Sequence, residues 1–125
     1  MGLRVKGIPR YYLLQMHSEM DTDRYMPSDI HPLLKKLDVE ILQSCILEPV
    51  LGIESAMNEK RIEYTSNALE ALDAVEKEKA DLVFIINSST IEDVMEIALA
   101  GLRMPQKSTY FFPKIPTGLV FSSLE

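Results

Sequence analysis

The sequence predicts a single layered α/β domain over residues 1–125, with about four strands and three helices in β-α-β-α-β-α-β order. Three observations carry that expectation. The apolar run Leu82-Val83-Phe84-Ile85-Ile86 lies between Asp81 and Asn87 and reads as a central strand buried on both faces. Helical spacing recurs around it, most plainly in Ile91, Val94, Met95, Ala98 and Leu102. Composition is that of an ordinary folded protein, since 46% hydrophobic and 26% charged residues leave enough apolar material for one core.

The elements follow in order. Tyr11-Tyr12-Leu13-Leu14-Gln15-Met16, entered from Gly7-Ile8-Pro9, is aromatic and aliphatic enough for a first strand. Residues 17–28 are polar and without period, hence a loop. Helical spacing begins near Pro32, with Asp38 as N-cap and Val39, Leu42, Cys45 and Ile46 on the apolar face. Pro49 and Gly52 stop it. Ile62-Glu63-Tyr64-Thr65 alternates like a short strand. Ser66 or Asn67 then caps a helix with Leu69, Leu72 and Val75 as its apolar face and residues 76–79 as its solvated end. After the 82–86 strand, Ser89 with Glu92 forms a capping box for the last helix. Gly101 stops that helix, and Gly118-Leu119-Val120-Phe121 supplies the final strand.

Charge excludes several functions. A net charge of −6 and a pI near 4.9 argue against broad binding of nucleic acid or anionic membranes, which needs a basic face. No run approaches the ~20 apolar residues of a membrane span, and the N-terminus lacks a secretory pattern, so a cytoplasmic location is expected. One cysteine, Cys45, rules out an intrachain disulfide and sits among aliphatic neighbours as a structural thiol. His17 and His31 have no metal-ligand spacing, and no metal is expected. No GxSxG, HExxH or GxGxxG segment is present, and no carboxylate stands out as a general acid or base, so the catalytic residues and any cofactor are left open.

Two segments carry the candidate chemistry. The turn Asn87-Ser88-Ser89-Thr90 places hydroxyls between a strand end and a helix N-terminus, where unpaired amides favour an anion. Its bland reading is an ordinary cap. The second segment is the tail: residues 97–124 hold no Asp or Glu but include Arg103, Lys107 and Lys114, on a backbone stiffened by Pro105, Pro113 and Pro116. Lys107 beside Ser108 and Thr109 superficially resembles a phosphate-binding pair, although the glycines of a P-loop are missing. Its bland reading is a rigid connector with solvated lysines. The candidate ligand-binding residues are therefore Lys107, Ser108, Thr109, Lys114, Ser88 and Ser89, and the expected ligand is a phosphorylated metabolite or nucleotide.

Longer blocks also match a known pattern. Leu37-Asp38-Val39-Glu40-Ile41-Leu42, Ile46-Leu47-Glu48-Pro49-Val50-Leu51-Gly52-Ile53, Ile62-Glu63-Tyr64-Thr65, Ala80-Asp81-Leu82-Val83-Phe84 through Met95-Glu96-Ile97-Ala98, and Met104-Pro105-Gln106-Lys107-Ser108-Thr109-Tyr110-Phe111-Phe112-Pro113-Lys114-Ile115-Pro116-Thr117-Gly118-Leu119-Val120 occur in one order. Together they resemble the bacterial and archaeal domain of unknown function 1015 family over residues 36–122. The resemblance implies a chain equivalent to the C-terminal part of a longer protein. The N-terminal half of that protein would carry a Gly-His-His-Arg-like, ParB-like segment that has no counterpart here. Any phosphoryl transfer would then need that half. The competing expectation is a non-catalytic structural or interaction module, docking to a partner domain or forming a homo-oligomer, with the seven methionines suited to an apolar interface. DNA partitioning is the third and poorest fit to the charge.

Overall fold

The structure is a computed structural model, and it describes residues 1–17, 22–54 and 61–109. It shows helices together with a small antiparallel sheet. The strands are β1 (Gly2–Val5), β2 (Tyr11–Leu13) and β3 (Leu82–Ile85). The helices are α1 (Thr22–Tyr25), α2 (Asp38–Leu42), α3 (Ala68–Glu76) and α4 (Ile91–Leu99).

The sheet has the order β2-β1-β3, antiparallel throughout. β1 is the central strand and is not among the strands expected from the sequence. Its Leu3 and Val5 alternate with Arg4, but four residues give too short a pattern to distinguish from a tail. The β1–β2 hairpin closes through Gly7, whose φ of +75° suits a residue without Cβ, and Ile8 N–H returns to Val5 O at 3.2 Å. β2 ends at Leu13, short of the expected strand.

β3 is not central among the described residues. It pairs with β1 alone, and of its four residues only Val83 is buried. An apolar run alone does not say how many neighbours a strand has. No strand forms at Ile62–Thr65. There the Thr65 hydroxyl accepts from Asn67 N–H at 3.1 Å and donates to Glu70 at 2.8 Å, drawing the chain into the start of α3 instead of a ladder. The expected final strand at residues 118–121 lies outside the described residues.

The helix expected from Pro32 is divided. A 3-10 turn at Leu34–Lys36 gives way to extended backbone at Leu37 (ψ 131°), then to α2, then to a π-turn at Gln43–Leu47. Leu37 thus holds the cap position and Asp38 is the first helical residue, so Asp38 is not the N-cap. The stop is as the sequence implied: Gly52 takes φ +62° and Ile53 N–H folds back to Leu47 O at 2.8 Å. In the segment read as loop, α1 makes one helical turn, and Met26 just after it is buried.

α3 begins at Asn67, whose side-chain oxygen accepts from Leu69 N–H (3.1 Å) and Glu70 N–H (3.4 Å). α4 is capped one residue later than expected. Thr90 and Asp93, not Ser89 and Glu92, form the capping box: Asp93 N–H donates to Thr90 Oγ1 at 3.1 Å, and Thr90 N–H to Asp93 Oδ2 at 2.9 Å. Gly101, at φ +70°, ends the helix. Among the described residues the buried apolar side chains are Val75 of α3, Val83 of β3 and Ile97 of α4, with Leu47 on the π-turn and Met26 and Leu37 from the connecting segments.

Candidate functional site

The end of β3 and the start of α4 bring the first candidate segment into view. Immediately after the strand, the Asn87 backbone and side-chain amides both donate to Asp38 Oδ2, at 2.9 and 2.8 Å. A carboxylate thus takes the strand-end donors that an incoming anion would need. Asp93 does the same for the N-terminus of α4. The Thr90 hydroxyl, then the Thr90 amide, and then the charge of Lys36 hold its carboxyl below the usual carboxylate range. With Glu92 also in the first turn, the positive end of the helix dipole is met from within the chain.

The second segment does approach the first. Ser89 Oγ donates to Ser108 O at 3.5 Å, which brings the 87–90 turn against the 105–108 turn. Ser108 Oγ donates to Pro105 O at 2.6 Å, closing its own turn. Both hydroxyl protons are therefore directed at carbonyls and not at open solvent. Lys107 is exposed in left-handed backbone (φ +59°), and Ser88 and Thr109 are exposed as well. Lys114 lies outside the described residues. The structure thus joins Ser89 to Ser108, while no contact draws Ser88, Lys107 and Thr109 to one point.

Two open clefts among the described residues lie elsewhere. One open cleft of about 830 Å³ is lined by Arg24, Met26, Ser44, Glu48 and Glu54, among others. A second, of about 850 Å³, runs between Tyr11 on β2 and Leu69, Leu72 and the acidic side chains of α3. Neither includes a candidate ligand residue. Cys45 sits on the π-turn, where partial burial, and then Glu40, push its thiol pKa up and suppress the thiolate. Among the described residues no group of three or more His, Cys, Asp or Glu could hold a metal ion, and no helix is long and apolar enough to cross a membrane.

Sequence reasoning missed the outward face of α4. The expected apolar face was Ile91, Val94, Met95, Ala98 and Leu102, all turned to the core. Instead the core takes Ile97, which is 1% exposed, while Ile91 (69%), Met95 (58%) and Leu99 (85%) stand in solvent. Those three follow i, i+4, i+8 spacing and form one row along the helix. Glu92 and Glu96 border that row on the next face round the helix. The signal was present in the sequence: α4 has more apolar positions than one buried face can use, and Leu99 falls off the stripe that was drawn.

The cleft beside α3 has a similar character, with Tyr11 and Leu69 both largely exposed. Comparison with known proteins adds no assignment to either surface: no family model matches the chain, and neither a curated protein nor a solved structure shows significant similarity to it.

Proposed function

We propose that this chain is a cytoplasmic, non-catalytic interaction module that docks a partner domain on α4. The observation that supports this most directly is the exposed row Ile91, Met95 and Leu99. Three large apolar side chains on a helix of nine residues are more than scattered surface hydrophobics, and burying each contributes about 1.5–3 kcal/mol to an interface. The partner has an apolar helix or groove at its centre and a basic residue at its rim facing Glu92, since Glu96, also beside the row, is ion-paired with Lys36 at 4.0 Å. On the resemblance set out above, the partner we propose is the N-terminal half of the longer family protein.

Calorimetric titration of the purified chain with that N-terminal half tests the proposal. The wild-type chain binds, Leu99→Lys abolishes the heat, and phosphate leaves it unchanged. Absence of binding by the wild type, or binding that Leu99→Lys does not weaken, overturns it.

A second reading is favoured by one contact, the Ser89–Ser108 hydrogen bond, which joins the two segments expected to hold a phosphate. In that reading Lys107 supplies the charge, Ser88, Ser108 and Thr109 supply hydroxyls, and Lys114 joins from the tail. Any phosphoryl transfer awaits the partner half. The carboxylates of Asp38, Glu92 and Asp93 oppose it. A panel of phosphorylated metabolites that raises the melting temperature, with the rise lost in Lys107→Ala, favours this reading over docking.

A further inference from the structure

The hydrogen-bonding pattern of the sheet fixes which backbone groups of β2 are available to another strand. Met1 and Leu14 exchange both bonds of a pair, each at 2.9 Å. In an antiparallel ladder such pairs recur at every second residue, so Leu3 and Tyr12, which stand opposite each other, form the next one. On the other side of β1, Lys6 N–H donates to Asp81 O at 2.9 Å, which assigns the even-numbered residues of β1 to β3 and the odd ones to β2. Tyr12 therefore spends its amide and carbonyl on β1. Those of Tyr11 and Leu13 point away from the sheet, and no described strand meets them.

Apart from its shortness, three residues, that edge has little of the usual protection. It carries no lysine, proline or bulge within Tyr11–Leu13, and its outward-bonding residues also have exposed apolar side chains, Tyr11 at 66% and Leu13 at 78%. Both residues lie on the same face of the sheet, one period apart. The opposite edge, β3, differs: Leu82 and Phe84, whose amides face outward there, have half-buried side chains.

We infer that the occupant of the β2 edge is a second copy of this chain, paired antiparallel about a two-fold axis through Tyr12. Tyr11 of each copy then stands opposite Leu13 of the other, and both pairs are hydrogen-bonded. The arrangement makes four backbone bonds, sets each Tyr11 ring beside the partner copy's Leu13, and extends the sheet across the axis. Charge permits it despite the −6 carried by each copy. Around this edge, Arg4 lies over the Tyr11 ring and donates to Arg10 O, and Lys77 is ion-paired with Asp73. These two cations, with Arg10 next to Tyr11 in the chain, equal in number Glu70, Asp73 and Glu76 along the neighbouring cleft. The edge is locally neutral, so two copies meet there without like-charge repulsion.

Sedimentation velocity on the full chain, over a concentration series reaching about 1 mM, tests this where even an interaction of about 4 kcal/mol populates the complex. The expected result is reversible formation of a species of twice the 14.2 kDa chain mass. Leu13→Pro removes an outward N–H while leaving the β1 ladder intact, and weakens association by about tenfold or more. Amide exchange on the wild type gives a readout that does not depend on the variant folding. Tyr11 and Leu13 amides become protected as concentration rises, whereas Tyr12 is protected throughout. A monomer at every concentration overturns the inference. So does a dimer in which Tyr11 and Leu13 exchange freely, or one that a folded Leu13→Pro chain retains.

Discussion

Truncating α4 one residue at a time separates its two faces. Ile97 is 1% exposed, and replacing a buried isoleucine with alanine costs about 2–5 kcal/mol through lost transfer energy and the cavity left behind. For a chain of this size each kcal/mol lowers the melting temperature by about 4 °C, so Ile97→Ala falls by about 8–20 °C. Leu99, two residues on, is 85% exposed, and Met95 is 58% exposed. Alanine at either position changes stability by no more than about 0.5 kcal/mol, since little burial is lost and alanine is the better helix former. The assay is thermal and urea unfolding of the isolated chain, followed by circular dichroism. Binding reverses the order: Leu99→Ala costs about 1.5–3 kcal/mol of affinity for the partner half, whereas Ile97→Ala leaves the affinity of the folded fraction unchanged. Equal destabilisation by Leu99→Ala and Ile97→Ala in the isolated chain would refute the reasoning, because the outer row would then already be covered.

Other expectations concern the polar framework. Asn67→Ala removes the acceptor for two amides of α3 and destabilises the chain by about 1 kcal/mol in urea unfolding; no change would mean the cap is replaceable by water. The pKa of Asp93 is lower folded than unfolded, so its contribution is present above the unfolded value of about 3.9 and is lost as pH falls through the folded one. The acid midpoint of Asp93→Asn therefore lacks that step, and an unchanged acid profile contradicts the capping box. Asp38→Ala frees both Asn87 donors and lowers stability by about 1 kcal/mol. It should also strengthen any phosphate effect on melting if the 87–90 turn takes an anion. Cys45 alkylates more slowly than a free thiol at neutral pH, and Glu40→Gln accelerates it; reaction at the free-thiol rate would show that its thiolate is not suppressed.

Local rules were legible where one residue sufficed to set them. Asn67 as cap, Gly52 and Gly101 as stops, and the 82–85 strand all follow from side-chain chemistry or an uninterrupted apolar run. What required tertiary partners was not. β1 is four residues long and takes the centre of the sheet only because β2 and β3 both pair with it. The Ile62–Thr65 alternation gave way to Thr65's local hydrogen bonds. At the candidate site, Ser89 meets Ser108, but the capture of the strand-end donors by a chain carboxylate depends on Asp38, which is 49 residues from Asn87. Periodicity gave α4 an apolar face but could not say which of its apolar residues the core accepts.

The most direct test of docking through α4 is methyl NMR on the labelled chain during titration with the N-terminal half proposed as its partner. The account predicts that the Met95 ε-methyl, the Ile91 δ-methyl and the Leu99 methyls shift and broaden together, while those of buried Val75 and Val83 hold still. Perturbation confined to the amides of 107–109, or none at saturating partner, would contradict it.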